Sequence, residues 1–314
     1  MFSIGIPAYK AKDLKECIES ILAQTYIDFE LIIVNDFSPD PIDDIISQFN
    51  DSRIKYYKNE KNFGAEHVVD NWNKCLNFAT REYFVLMGDD DTMKPNYLFE
   101  FVNLIQAFPK LDVFHCRSVI INESSEAIGL TPINPAFEDV YDNIINCLEQ
   151  RRQQFVSDFV YRTNALKNVG GYYKLSLGWC SDYLTSHILA KNKGIAHTNK
   201  LLFNYRSHSV SITSTGNVEN KSKALALYID WIEHFLLNIP KEDILLLKHK
   251  MLRDSLNKFI VGEKLALVRV TIGKKNVFKG FINYFKIKKK YNLTNRDLIG
   301  GIASSFYFRS LRKL

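Results

Sequence analysis

With 314 residues, 46% of them hydrophobic and 24% charged, the chain holds enough apolar mass for one large domain or two smaller ones. That composition excludes a disordered, collagen-like or disulfide-scaffolded polypeptide. The formal net charge of +6 is unevenly placed: residues 219–314 carry 20 basic and 8 acidic side chains, whereas residues 1–218 carry 21 and 27. An acidic N-terminal part argues against a nucleic-acid partner, because phosphate backbones are held by clustered Lys and Arg. The basic C-terminal part suits an anionic lipid surface, or simply a solvated face. Cys17, Cys75, Cys116, Cys147 and Cys180 form no C-x-x-C pair and read as buried apolar residues in a reducing compartment. Met1 to Lys10 lacks a basic n-region and reaches Pro7 early, so a cytoplasmic location is expected. No 18-residue apolar run is present, so no bilayer span is expected.

In chain order, Phe2 to Ile6 reads as a strand stopped by Pro7, and Asp13 as the N-cap of a helix with Leu14, Cys17, Ile18, Ile21 and Leu22 at helical spacing. Phe29 to Val34 is a buried-strand composition, closed by the turn-forming stretch Asn35 to Pro41 and a second helix through Phe49. Ile54 to Tyr57 predicts a third strand, followed by a helix ending near Ala79, and Tyr83 to Met87 a fourth strand ahead of Gly88. This alternation predicts an α/β fold with a parallel sheet covered on both faces, with ligands beyond the carboxyl ends of the strands. A helix over Pro95 to Phe108, a strand over Val113 to Ile121 and helices over Val140 to Glu149 and Ser181 to Lys191 follow, with a turn at Gly170-Gly171. Beyond Gly216 the pattern shifts to longer helices, Ser222 to Leu237 and Lys241 to Ile260, with Thr294 and Asp297 at capping-box spacing.

Asp89, Asp90 and Asp91 follow the fourth strand directly. Three adjacent carboxylates repel one another unless they face water or a cation. A hard divalent ion, Mn²⁺ or Mg²⁺, shared with substrate phosphates would relieve that repulsion, and a solvated, helix-capping turn would serve as well. Asp36 ends the second strand on the same edge and can accept a hydrogen bond from a nucleobase, or form an Asx-turn before Pro39. The loop Pro7-Ala8-Tyr9-Lys10 borders the same crevice, with the Tyr9 ring available to a base or to packing.

Ser3-Ile-Gly-Ile-Pro-Ala-Tyr9, Asp13 to Tyr26, Phe29 to Asp36 with Ser38 and Asp40, and Gly88-Asp-Asp-Asp91 resemble, in order and spacing, the family 2 inverting glycosyltransferases of GT-A fold. The resemblance covers Met1 to about Ser211. It implies a GT-A, Rossmann-like, mostly parallel sheet over residues 1–218, with a nucleotide-sugar half at 1–121 and an acceptor half at 122–218, and a basic helical region at 219–314. It further implies a nucleotide-diphospho-sugar donor, expected to be a UDP-sugar, and a glycan or lipid-linked glycan acceptor. Pro7, Tyr9, Asp36, Asp89, Asp90 and Arg206 are then expected to bind the donor, Arg206 alternatively forming a structural ion pair, and Asp91 and His208 to bind the metal, His208 alternatively touching the diphosphate. Gly88 stands where many members carry Asp, and Asn71-Trp72-Asn73-Lys74 replaces a segment that often holds an Arg, so no arginine contact to the diphosphate is implied there. Gly178-Trp-Cys-Ser-Asp182-Tyr resembles the family's acidic pair with Ser181 in the first place, which gives Asp182 the role of catalytic base. Tyr205-Arg206-Ser-His208 resembles a closing motif of these enzymes.

Val277 to Lys290 interleaves aromatic and aliphatic residues with lysines, and Gly301 to Leu314 continues in that style. Such a tail suits peripheral contact over 277–314 with the inner face of the cell membrane, or a packed helix with a basic outer face. Two rival functions use the same residues. A catalytically silent sugar- or nucleotide-binding protein is motivated by Gly88, Ser181 and the missing arginine. A sugar nucleotidyltransferase would share the carboxylates and Mg²⁺ but needs a Gly-rich basic loop that Pro7 to Lys10 does not supply.

Overall fold

The computed structural model describes residues 1–208, 217–272, 284, 288 and 293–302. These fall into two compact units, Met1–Asn238 and Ile239–Leu314. The first unit is built on a mixed sheet in the order β3-β2-β1-β4-β9-β6-β10-β5. Its strands are β1 (Phe2–Ala8), β2 (Phe29–Asn35), β3 (Ile54–Lys58), β4 (Tyr83–Leu86), β5 (Thr92–Met93), β6 (Val113–Ile121), β7 (Ala127–Leu130), β8 (Phe137–Glu138), β9 (Phe159–Arg162) and β10 (Ile195–Arg206). Between them run helices α1 (Leu14–Leu22), α2 (Ile42–Ile46), α3 (Val68–Phe78), α4 (Tyr97–Ala107), α5 (Val140–Leu148), α6 (Thr163–Asn168) and α7 (Ser181–Ala190), with α8 (Val218–Phe235) after them.

β1 pairs in parallel with β2 and β4, and β2 with β3. Every residue of β2 is buried, as a strand covered on both faces requires. Leu14, Ile18 and Ile21 of α1 and Tyr97 and Phe101 of α4 pack with Ile4, Ile6, Leu31 and Phe114 in one core. Each such fully buried side chain contributes about 1.5–3 kcal/mol. Val69, Cys75 and Leu76 of α3 are buried as well.

The expectation of a parallel sheet is corrected at its centre. β9 lies antiparallel to both β4 and β6, while β10 returns parallel to β6. β9 is four residues long and runs straight into α6, leaving too short a stretch for a period to show. β10 is interrupted between His197 and Leu201 by a bulge, where Asn199 and Lys200 are exposed, and that breaks the apolar signature. The helix expected to reach Phe49 stops at Ile46.

The first compact unit extends through Asn238. α8 belongs to the first unit because it buries Ala224, Tyr228 and Ile232, and the Tyr228 hydroxyl lies 3.0 Å from His187 Nε2 on α7. The second unit contains α9 (Asp243–Ile272) and a helical segment at 295–302. The expected capping box forms: Thr294 N donates to Asp297 Oδ2 at 2.6 Å and Asp297 N to Thr294 Oγ1 at 3.2 Å. Most of the lysine-rich stretch at 277–314 lies outside the described residues. Among the described residues no helix is long and apolar enough to cross a membrane.

Candidate active site

The carboxyl ends of β1, β2 and β4 open into a cavity of about 420 Å³, where α/β sheets place their ligands. Pro7, Tyr9, Asp36, Asp89, Asp90, Arg206 and His208 all line it. Asp91 and Asp182 do not. Lys10, Asn62, Trp72 and Val156, to which the sequence assigned no role, line it too.

Asp36 is 6% exposed. Its Oδ1 accepts from Asn59 Nδ2 at 2.8 Å and from Phe63 N at 3.0 Å, while Oδ2 accepts only a longer 3.2 Å bond from Phe63 N. The carboxylate is thus oriented by the loop after β3 and keeps lone-pair capacity on Oδ2. Asn62 Nδ2 donates to the Asp36 carbonyl at 2.9 Å and fixes the same turn. Tyr9 lines the cavity and is 43% exposed.

The three consecutive aspartates point in three directions. Asp89 Oδ2 accepts from Tyr9 N at 2.7 Å and Lys10 N at 2.8 Å, fastening the β1–α1 loop. Burial and then the neighbouring Asp90 charge raise its pKa against the pull of those two N–H groups. Asp90 turns into the cavity, where its Oδ2 lies 2.7 Å from His208 Nε2 and 3.5 Å from Lys10 Nζ. Asp91 turns inward, only 4% exposed, and its Oδ1 accepts from Arg206 N at 2.8 Å. Burial, and next the Asp90 charge, hold its carboxyl well above the usual range. The expected metal pair Asp91–His208 is therefore not brought together; Asp90 stands beside His208 in its place. Gly88 belongs to this arrangement, because a Cβ there would meet Asp91 Oδ2 at 2.5 Å. An aspartate at position 88 would require the Asp91 carboxylate to shift.

Arg206, expected on the donor phosphates, is a structural clamp. Its side chain is 1% exposed; Nε donates to the Asp90 carbonyl at 2.7 Å, Nη1 to Ser125 Oγ at 2.8 Å and Nη2 to Glu16 Oε2 at 2.7 Å. A guanidinium so engaged has little donor capacity left for a ligand.

Asp182 sits in the first turn of α7, where Oδ1 accepts from Tyr183 N at 2.9 Å. Burial pushes its carboxyl up to about 7, against the pull of that N–H. Ser181, in the place of a first acid, accepts from Leu175 N at 3.2 Å and braces the preceding loop. That loop holds Leu177, Gly178 and Cys180 at φ near +64°. Gly178 lies so close to Trp72 that a Cβ would meet the indole Cη2 at 2.8 Å. Trp72 is thus a cavity wall on one side and the seat of the Asp182 loop on the other.

Behind the site, Gly88 N donates to Ser157 Oγ at 3.2 Å. The adjoining Asp158 is fully buried; it accepts from the Ser118 hydroxyl and from Phe155 N, and burial pushes its carboxyl up to about 8. His115 Nδ1 and His197 Nδ1 lie 3.1 Å apart, with Asp158 at 3.7 Å on one side and Glu138 at 3.3 Å on the other. Burial lowers both imidazoles, to about 3 for His115 and about 4 for His197, so they are neutral at physiological pH. Glu138 also pairs with Arg152. The ionised Glu138 sets one order of donors: His197 Nε2–H faces Glu138, and His115 Nδ1–H faces His197 Nδ1.

The family model for glycosyl transferase family 2 matches residues 3–168. The chain belongs to that family. This glycosyltransferase is 24% identical over 313 residues to the uncharacterised glycosyltransferase RT0329 of Rickettsia typhi, covering 93% of this chain and 91% of that protein. It is 34% identical over 143 residues to the putative colanic acid biosynthesis glycosyl transferase WcaA of Escherichia coli K12, covering 43% of this chain and 50% of the relative. Among solved structures, S. aureus TarS 1–349 in complex with UDP-GlcNAc superposes with a TM-score of 0.65 at 17% identity, covering 98% of this chain and 91% of that one. The likeness establishes a GT-A fold, and family membership sets aside the nucleotidyltransferase reading.

Proposed function

We propose that the enzyme moves a sugar from a UDP-sugar to a hydroxyl of a glycan or lipid-linked glycan by a single inverting displacement. The observation that carries this reading is the convergence of Tyr9, Asp36, Asp90 and His208 on one cavity. The S. aureus TarS structures with UDP-GlcNAc and with UDP support uracil as the base. Asp36 Oδ2 accepts the uracil N–H and the Tyr9 ring covers the base. Residues 1–121 supply the donor half and residues 122–218 the acceptor half.

A divalent cation fits Asp90 and His208. One carboxylate oxygen and one imidazole nitrogen meet at 2.7 Å on the cavity wall, and among the described residues no group of three or more His, Cys, Asp or Glu side chains closes around an ion. That is the donor set for Mn²⁺ or Mg²⁺ completed by diphosphate oxygens and water. When bound, the cation supplies the positive charge that offsets the departing diphosphate. Asp182 accepts the acceptor hydroxyl proton; such a base contributes about 10²- to 10⁴-fold, and a carboxyl near pH 7 is poised for it. Asp89 and Arg206 hold the β1–α1 loop and the acid turn so that Asp90 meets the leaving group without reorganisation.

The test is transfer from a panel of UDP-sugars with Mn²⁺, Mg²⁺ or chelator, with the product anomer read by NMR. Retained configuration refutes the single displacement, and chelator-insensitive turnover refutes the cation. The +12 charge of residues 219–314 supports contact with the cytoplasmic membrane face, each basic side chain adding about 1 kcal/mol near an anionic surface. Equal sedimentation with anionic and neutral vesicles would remove that placement.

A further inference from the structure

The residue that sits against the proposed cation ligands is itself a cation. Lys10 N is tied to Asp89 Oδ2 at 2.8 Å, so the loop that carries the side chain is fixed. Its Nζ reaches back into the cavity to 3.4 Å from His208 Nε2 and 3.5 Å from Asp90 Oδ2. Those two atoms are the ones a divalent ion would use. An ammonium has three donors and no acceptor, so it cannot join a coordination shell. It can only occupy the same charge-compensating position, and two cations at that separation repel. For an ion to reach Asp90 and His208, the Lys10 ammonium has to leave. Its four-carbon stem and 36% exposure make that a rotamer change and not a loop movement.

We infer that Lys10 is a resident placeholder cation that makes capture of the divalent ion depend on the donor. In the donor-free enzyme the ammonium neutralises Asp90 and keeps metal affinity low. A nucleoside diphosphate brings both the oxygens that complete the ion's shell and the negative charge that draws the ammonium off Asp90. The enzyme then holds its ion only when a leaving group is present. This rests on the cation reading of the Asp90–His208 pair.

The experiment measures Mn²⁺ affinity of the full chain by electron paramagnetic resonance of free Mn²⁺, without and with UDP, for the parent, Lys10→Met and Lys10→Arg. Thermal melts check that each variant is folded. Expected in the absence of UDP is at least tenfold tighter Mn²⁺ binding by K10M than by the parent, with K10R resembling the parent. UDP should tighten Mn²⁺ binding strongly in the parent and at least tenfold less in K10M. Equal donor-free affinities of parent and K10M, with UDP-dependent binding retained, overturn the placeholder role alone. Absence of Mn²⁺ binding in all three proteins even with UDP overturns the cation reading and this inference together.

Discussion

Turnover and stability pull in opposite directions at Asp182. Burial lifts its carboxyl from 3.8 to about 7, so between about pH 4 and pH 7 the folded protein keeps a proton that the unfolded chain has released. Stability therefore falls as pH rises through that window and stays reduced above it. About three pH units at roughly 1.4 kcal/mol each give about 4 kcal/mol, which the partial water contact of this side chain trims to about 2 kcal/mol. Asp182→Asn keeps an acceptor for Tyr183 N but removes the ionisable group. The variant should be about 2 kcal/mol more stable than the parent at pH 8, with the difference closing below about pH 4, while transfer falls about 10²- to 10⁴-fold. In the parent, kcat/KM should rise about tenfold per pH unit up to about pH 7 and then level. Urea denaturation at pH 4, 6 and 8, together with release of nucleoside diphosphate across pH 5.5–8.5, reads both effects. Equal stability of parent and variant at pH 8, or a flat rate profile in the parent, would refute the assignment of a buried base at this position.

Arg206→Met should lower stability by about 1–3 kcal/mol, because it leaves the Asp90 carbonyl without its donor and removes the pair with the exposed Glu16; a thermal melt measures it, and lost donor affinity at unchanged stability would return the guanidinium to the donor site. Asp90→Asn should abolish metal-stimulated transfer with little change in melting temperature. Asp91→Asn keeps an acceptor for Arg206 N and removes a carboxyl that burial holds above its usual range, so it should retain metal-stimulated transfer and gain stability relative to the parent on going from pH 4 to pH 8, and the paired melts and assays separate the two. Asp158, pushed up to about 8, holds its proton from about pH 4 to pH 8 in the fold but not in the unfolded chain, so it too lowers stability as pH rises across that window. Denaturation of Asp158→Asn at pH 5 and pH 8.5 should show a flatter pH dependence than the parent.

The edge of the sheet that carries the chemistry was legible because it depends on local signals. The apolar run of β2 ends at Asp36, and that of β4 ends one residue before Met87 and the glycine-aspartate turn, so a parallel arrangement brings both ends to one side. The central β9 and the bulged β10 were not legible, since a four-residue strand and a strand broken by exposed polar residues carry no usable period. Side-chain direction within the acid turn was not legible either. Asp89 is fixed by backbone N–H groups about 80 residues away, Asp91 by one 115 residues away, and Arg206 by a carboxylate 190 residues away. Composition placed Lys10 beside Tyr9 in the crevice loop; only the fold brings its ammonium to His208.

The acid turn also explains why three adjacent carboxylates can persist in a folded protein. Each has a different counterpart: backbone N–H groups for Asp89, an ammonium and an imidazole for Asp90, and the Arg206 N–H for Asp91. Asp89 and Asp91 hold the loop and the β10 end in place, and Asp89 and Asp90 line the cavity while Asp91 does not. Gly88 accommodates this division, because a Cβ there would press on the inward Asp91 carboxylate and require it to move. The glycine that stands where many members carry Asp is thus packed against an aspartate turned away from the cavity, while Asp89 and Asp90 remain on its wall beside His208.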